Sequence, residues 1–246
     1  MLILLRSYAF TAYMVLTIVI MGIVCLPAAL WGKRAARAVV KLWARMMLGA
    51  LKTVSGVSYT VRGAENIPQG GALVAANHQS MWETIALYAL LPEPVMILKK
   101  ELMAVPVYGW WARATGNIAV DRKAGAKALR AMRAAAREAI ENGEQVTVFP
   151  EGTRIAPGAR APYQPGVAGV YAAAGAPCAP VSHDSGRFWR HPGVRKEPGE
   201  ITLTVGRPIE PGLDRKSFMA TLQARIDGAR PDLDGAAQPQ KEPSHA

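Results

Sequence analysis

Acidic residues are absent from the first 64 positions of this chain, which hold eight lysines and arginines. The remaining 182 positions carry 21 basic and 18 acidic side chains, so most of the net charge of +11 is N-terminal. A basic excess of this size ordinarily points to nucleic acid. Here it is fused to an apolar segment and fits an anionic membrane surface instead, so membrane phospholipids are the expected partner and nucleic acid is not. Cysteine is scarce: Cys25 and Cys178 stand far apart, with no Cys-x-x-Cys pair and no Cys/His cluster. That excludes a disulfide framework and a structural zinc site, and no metal or cofactor is expected. A Gly-x-Ser-x-Gly elbow is also missing, which argues against a serine hydrolase.

Charge of either sign is missing from Ser7 to Gly32, a run of 26 residues. Its densest part, Tyr8 to Leu26, would span about 29 Å as a helix, one hydrocarbon core. A membrane segment follows. Pro27-Ala28-Ala29 loosely suggests a cleavage region, but the run is longer than a signal-peptide core and strong positive charge comes after it, which favours retention. Spanning and re-entry both remain open. From Lys33 to Lys52, Arg34, Arg37, Lys41, Arg45 and Lys52 fall within about 80° around a helix. The pattern suits an interfacial helix with its basic stripe on phosphates, the competing reading being a core helix with one solvated basic face. Either way the basic block places residue 33 onward on the cytoplasmic side, with the whole chain at the cytoplasmic (inner) membrane.

The most informative stretch is Asn77-His78-Gln79-Ser80-Met81-Trp82-Glu83-Thr84. It follows Ala72 to Ala76, a short apolar run that reads as a buried strand, and leads into a helix from Met81 to Leu91. Five residues apart on one helix, His78 and Glu83 would lie about 140° from each other, so they meet only if His78 precedes the helix proper. In that arrangement the carboxylate fixes the imidazole tautomer and the histidine is a general base. The residues alone leave open a plainer reading, a helix cap followed by a solvated first-turn acid.

Val95 to Leu98, Asn117 to Val120, Gln145 to Phe149, Cys178 to Ser182 and Ile201 to Val205 read as further strands. Ala124 to Asn142, Tyr163 to Ala174 and Lys216 to Ile226 read as helices. Strands alternating with helices give an α/β fold, a partly parallel sheet sandwiched by helices. Residues 1–52 are expected to anchor the chain, 53–228 to form the catalytic domain and 229–246 to be a disordered tail. Pro150-Glu151-Gly152-Thr153-Arg154 runs directly off a strand, at the sheet edge where α/β proteins place ligands. There Gly152 permits close backbone approach and Arg154 offers a planar fork for a phosphate. The tryptophans of Val105 to Trp111 suit an acyl-chain wall, the membrane or the core equally.

Four blocks in order, NHQSMWE, KKEL through GNIAVDR, FPEGTR and APCAPVSHDSG, resemble the glycerolipid acyltransferase family, in particular its 1-acylglycerol-3-phosphate acyltransferases. The resemblance covers roughly Val57 to Arg207. It implies acyl transfer from a thioester of acyl carrier protein or coenzyme A to the sn-2 hydroxyl of lysophosphatidic acid, giving phosphatidic acid. It also implies His78 and Glu83 as the catalytic pair, with Lys100, Arg122 and Arg154 on the acceptor phosphate and Glu151, Gly152 and Thr153 beside them. The oxyanion donors would be backbone N–H groups near the helix start or around Gly152. Glu83 stands where the family usually has aspartate. His183, Asp184 and Ser185 are consecutive and cannot readily form a triad among themselves. Another lyso-lipid acceptor, or a non-catalytic lipid-binding role, remains compatible with the same residues.

Overall fold

The structure is a computed structural model that describes residues 1–121 and 124–233. Among these residues seven strands form one sheet in the order β1-β7-β6-β2-β5-β3-β4. They are β1 (Val57–Arg62), β2 (Ala72–Ala76), β3 (Pro94–Lys99), β4 (Ile118–Val120), β5 (Gln145–Val148), β6 (Cys178–His183) and β7 (Gly199–Val205). Strands β6, β2, β5, β3 and β4 run parallel, while β7 pairs antiparallel with β6 and carries β1 in parallel at the edge. The helices are α1 (Leu2–Val24), α2 (Leu26–Leu30), α3 (Lys33–Ser55), α4 (Trp82–Leu90), α5 (Tyr108–Ala114), α6 (Gly125–Glu141), α7 (Gly166–Ala174) and α8 (Arg215–Asp227).

Side-chain alternation in β2 builds both layers. Val74 and Ala76 join a core made with α1, α3 and α4, while Leu73 and Ala75 face a second core made with α6, α7 and α8. A strand buried on both faces must be apolar throughout, and Ala72–Ala76 is. The sandwiched α/β fold is therefore as the sequence implies. Not anticipated were edge strand β1, whose register is set by β7, and the short helix α5.

Helix α3 is not an interfacial helix set apart from the domain. Arg37 is buried, its Nη2 2.6 Å from Glu144 and its Nη1 3.0 Å from Glu93, and Lys41 Nζ donates to the carbonyls of Leu91 and Pro92 at the end of α4. Two members of the basic stripe thus have fixed protein partners instead of phosphates. Met47, Leu48 and Leu51 pack in one cluster with Val74 and Trp82, and burial of each such side chain contributes roughly 1.5–3 kcal/mol. The boundary expected at residue 52 falls inside this helix, so anchor and sheet form one packed body.

Helix α1 is long and apolar enough to cross a membrane. It is nevertheless tied down along one side: Trp111 Nε1 donates to the Gly22 carbonyl, and Phe10 meets Trp189 edge-on at 5.5 Å. Lys196, buried between those two rings, donates to Thr11 Oγ1 at 3.0 Å. Its other side leaves Leu5, Val15, Leu16, Ile20 and Ile23 exposed, together with Leu30 and Trp31 just beyond and Leu42 of α3.

Residues 230–232, within the stretch expected from 229 to be a tail, are packed against the domain. Arg230 is buried and forks onto Asp232, which also accepts from Gln79 Nε2 and from the Gly158 N–H, both at 2.8 Å. Charges paired this fully can be buried in a segment that has no apolar periodicity. The remaining tail, 234–246, lies outside the described residues.

Candidate active site

The parallel strands end together at one sheet edge, and the turn from β2 to α4 sits at its middle. Asn77 closes β2 by bonding across to β6: its Nδ2 donates to the His183 carbonyl at 3.0 Å, and its Oδ1 accepts the His183 N–H at 2.9 Å. His78 follows, outside α4, with its ring stacked on Phe149 at 4.1 Å. Its Nδ1 lies 2.7 Å from Glu83 Oε1. The two residues expected to meet do so, and for the geometric reason inferred, since His78 precedes the first helical turn.

Glu83 is fully buried and collects five donors. Oε1 accepts from His78 Nδ1 and from the N–H groups of Gln79 and Ser80, at 2.8 and 2.7 Å for the last two. Oε2 accepts the hydroxyls of Ser80 and Ser185 at 2.7 and 2.8 Å. Burial alone would push this carboxyl up, but the facing His183 and His78 rings and the Ser80 hydroxyl hold it well below the usual range. The start of α4 favours the same charge. Glu83 is therefore an anion, and His78 carries its proton on Nδ1 and leaves Nε2 as the lone-pair nitrogen. Nε2 has no hydrogen bond among the described residues.

His183 is the second buried imidazole. Burial pushes its pKa down, and its Nε2 donates to the Asn77 carbonyl at 2.7 Å while Nδ1 accepts the Ser185 N–H at 3.3 Å. It is a strut between β2 and β6. Asp184 points elsewhere, accepting the Thr202 N–H at 3.0 Å. The three consecutive residues form no triad, yet Ser185 and His183 both support the dyad, which short-range reading of the motif missed.

The Pro150 to Arg154 loop, running off β5, lies alongside. Glu151 is 5% exposed and its Oε1 accepts the His78 N–H at 3.3 Å. Its Oε2 and the buried Tyr163 hydroxyl have no hydrogen-bond partner among the described residues. Burial pushes the Glu151 carboxyl up to about 7, against the His78 N–H bond and Arg230, which pull it down. Gly152 takes a left-handed φ of 72°, closing the turn with its N–H on the Phe149 carbonyl at 3.0 Å. Thr153 is exposed. Arg154 Nε donates to the Ser80 carbonyl at 3.0 Å, and its Nη1 lies 3.2 Å from His191 Nδ1.

Lys100 stands at the same sheet edge beyond β3, two strands from β2. It is 66% exposed and pairs with Asp121 at 3.3 Å, so it is not drawn into the cluster around His78. Arg122 lies outside the described residues. The backbone donors expected for an oxyanion are largely taken: Gln79 and Ser80 N–H serve Glu83, Trp82 N–H serves Ser80 Oγ, and Gly152 N–H serves Phe149.

An Acyltransferase family model matches residues 58–184, which include His78, Glu83, Glu151, Arg154 and His183 but not Ser185 or the loop carrying His191. The chain is 34% identical over 191 residues to the 1-acyl-sn-glycerol-3-phosphate acyltransferase of Pseudomonas aeruginosa, covering 78% of this chain and 74% of that one. It is 32% identical over 139 residues to 1-acyl-sn-glycerol-3-phosphate acyltransferase alpha of Homo sapiens, covering 56% and 49%. In fold it matches the crystal structure of the 1-acyl-sn-glycerophosphate acyltransferase of Thermotoga maritima, with a TM-score of 0.78 over 97% of this chain and 98% of that one at 23% identity. The chain belongs to the Acyltransferase family.

Proposed function

We propose that this protein transfers an acyl group from a thioester to the sn-2 hydroxyl of lysophosphatidic acid, giving phosphatidic acid in phospholipid synthesis. The observation that carries the reading is the His78–Glu83 contact of 2.7 Å with His78 Nε2 left open. The acceptor hydroxyl hydrogen-bonds to Nε2, which takes its proton as the oxygen attacks the thioester carbonyl. The tetrahedral intermediate collapses by breaking the C–S bond, and the thiolate takes the proton from the imidazolium. Glu83 stabilises the imidazolium in between without itself gaining the proton. The acceptor is the nucleophile, so no acyl-enzyme forms. Arg154, fixed through Nε, offers its Nη groups to the acceptor phosphate, and Glu151 with Gly152 and Thr153 shapes the loop that holds it.

The donor, acyl carrier protein or coenzyme A thioester, meets a basic protein surface that suits either. The exposed apolar side of α1, continued by Leu30, Trp31 and Leu42, supports membrane association, which keeps the enzyme where its acceptor resides. The basic residues that follow α1 support a cytoplasmic active site. The test is acyl transfer by membranes carrying wild type or His78→Ala, given lysophosphatidic acid and either thioester. Phosphatidic acid from wild type alone supports the reading and the faster donor names the partner. No product with either donor refutes it.

A further inference from the structure

The N-terminal half of α1 is held by the segment that joins β6 to β7, and the contact is polar where a membrane anchor needs no polarity. Ser7 and Phe10 of α1 are fully buried there. Ser7 Oγ accepts the Lys196 N–H at 2.9 Å and Thr11 Oγ1 accepts from Lys196 Nζ at 3.0 Å, while Nζ also donates to the Val194 carbonyl at 2.7 Å. The ammonium lies 5.2 Å from the centroid of the Phe10 ring and 4.6 Å from that of Trp189. Lys196 is 2% exposed and pairs with no carboxylate among the described residues. Burial pushes its ammonium down to about 8, which leaves it charged at neutral pH.

A buried ammonium without a counter-ion is an expensive way to fasten a helix. An apolar side chain of the same length would fill the space between two aromatic rings with no charge to desolvate. What the charge adds is direction, because two acceptors and two ring faces together fix where Trp189 lies. Trp189 in turn leads to the dyad. It pairs with Lys196 in an antiparallel bridge, beside which the Glu197 N–H donates to the Phe188 carbonyl at 2.7 Å. The N–H groups of Trp189 and Phe188 both donate to the Ser185 carbonyl, at 2.8 and 3.0 Å. Ser185 Oγ donates to Glu83 Oε2 at 2.8 Å, and Glu83 Oε1 is 2.7 Å from His78 Nδ1. An unbroken run of contacts therefore joins α1 to the catalytic imidazole, although contiguity alone does not measure coupling.

We propose that Lys196, clamped between Phe10 and Trp189, is a positioning residue for acyl transfer: it locks the 185–197 segment onto α1 and, through Trp189, sets the Ser185 hydroxyl on Glu83. Helix α1 then supports the dyad as well as anchoring the chain. The effect on rate rests on the acyl-transfer reading above, whereas the joint between α1 and the segment does not.

The test uses the full chain in detergent. Lys196→Met keeps the length of the side chain and removes its charge, so the urea unfolding midpoint should hold or rise. Over the same substitution kcat should fall roughly fivefold, with KM for lysophosphatidic acid and for the thioester nearly unchanged. Lys196→Arg returns a cation to the two rings and should recover part of the loss. Thr11→Val removes one acceptor of the ammonium from the α1 side at constant volume and should lower kcat by roughly threefold. The decisive comparison is made in Ser185→Ala enzyme, where the hydroxyl through which the joint acts is already gone and Lys196→Met should cost less than about twofold. A full fivefold loss in that background, an unchanged kcat in Lys196→Met, or a change confined to KM overturns the assignment. Amide exchange across residues 185–197 is measured in parallel and should quicken in both Lys196→Met and Thr11→Val. Unchanged exchange in both overturns the joint. Exchange is read without substrate, so a wild type that made no phosphatidic acid would refute the reaction while the joint still stood or fell on its own result.

Discussion

Replacing Glu83 with glutamine keeps its shape and removes its charge, which separates what the carboxylate does for the fold from what it does for His78. The glutamine oxygen can still accept from the Gln79 and Ser80 N–H groups and from His78 Nδ1, now held at 2.7–2.8 Å. The amide nitrogen then faces the Ser80 and Ser185 hydroxyls, which can turn to accept. Stability should therefore change by only about 1 kcal/mol. Catalysis should not survive as well. A unit charge about 4 Å from the imidazolium is worth about 4 kcal/mol at an effective dielectric of 20, which corresponds to roughly a thousandfold in rate. Alanine differs: it strands the two backbone N–H groups in a dry site, at roughly 2–4 kcal/mol, in addition to the same kinetic loss. Aspartate, shorter by about 1.5 Å, would stretch these contacts beyond hydrogen-bonding distance and should behave more like alanine than like wild type. The assay pairs initial rates of phosphatidic acid formation with urea unfolding of each variant. A Glu83→Gln enzyme that keeps more than a tenth of wild-type kcat would refute the assignment of Glu83 as the group that orients and stabilises the His78 imidazolium.

Four further outcomes are expected. Ser185→Ala leaves Glu83 Oε2 with only the Ser80 hydroxyl and should lower kcat roughly tenfold with KM nearly unchanged, since the lost bond is to a charged group; an unchanged kcat would remove Ser185 from the site. Glu151 has a folded-state pKa of about 7 against an ordinary 4.5, so its stabilising effect is complete below about 4.5 and is lost as pH rises through 7. Glu151→Gln should accordingly gain about 3 kcal/mol of stability relative to wild type between pH 4.5 and 8, read from urea midpoints at both ends, and parallel pH profiles would contradict it. Arg37→Ala leaves Glu144 buried without its partner and should cost about 3–5 kcal/mol, seen as a large drop in unfolding midpoint. Gly71→Ala would set a Cβ 1.8 Å from the Ile140 carbonyl oxygen, and because that atom is backbone the start of β2 must shift, at several kcal/mol; a variant as stable as wild type would show that the approach of α6 to β2 is looser than described.

The sequence by itself determined the elements whose signal is local. β2 is apolar throughout because both its faces are covered, and α6 shows a clean amphipathic period. The His78–Glu83 pairing was also within reach, because a five-residue spacing across a strand-to-helix turn admits one way of meeting. What the tertiary structure decided is everything that depends on which side chains find partners across the chain. The basic stripe of α3 reads as lipid-facing until Glu93 and Glu144, more than 50 residues away, claim Arg37. Residues 230–232 look like tail until Asp232 reaches Gln79 and Gly158. Ser185 is uninformative within its own motif and meaningful only because β6 lies beside β2, and Lys100 is removed from the dyad by two strand spacings that no linear pattern records. Periodicity and turn chemistry fix local conformation, whereas burial and charge pairing are properties of contacts between distant segments, and those exist only once the sheet has set its strand order.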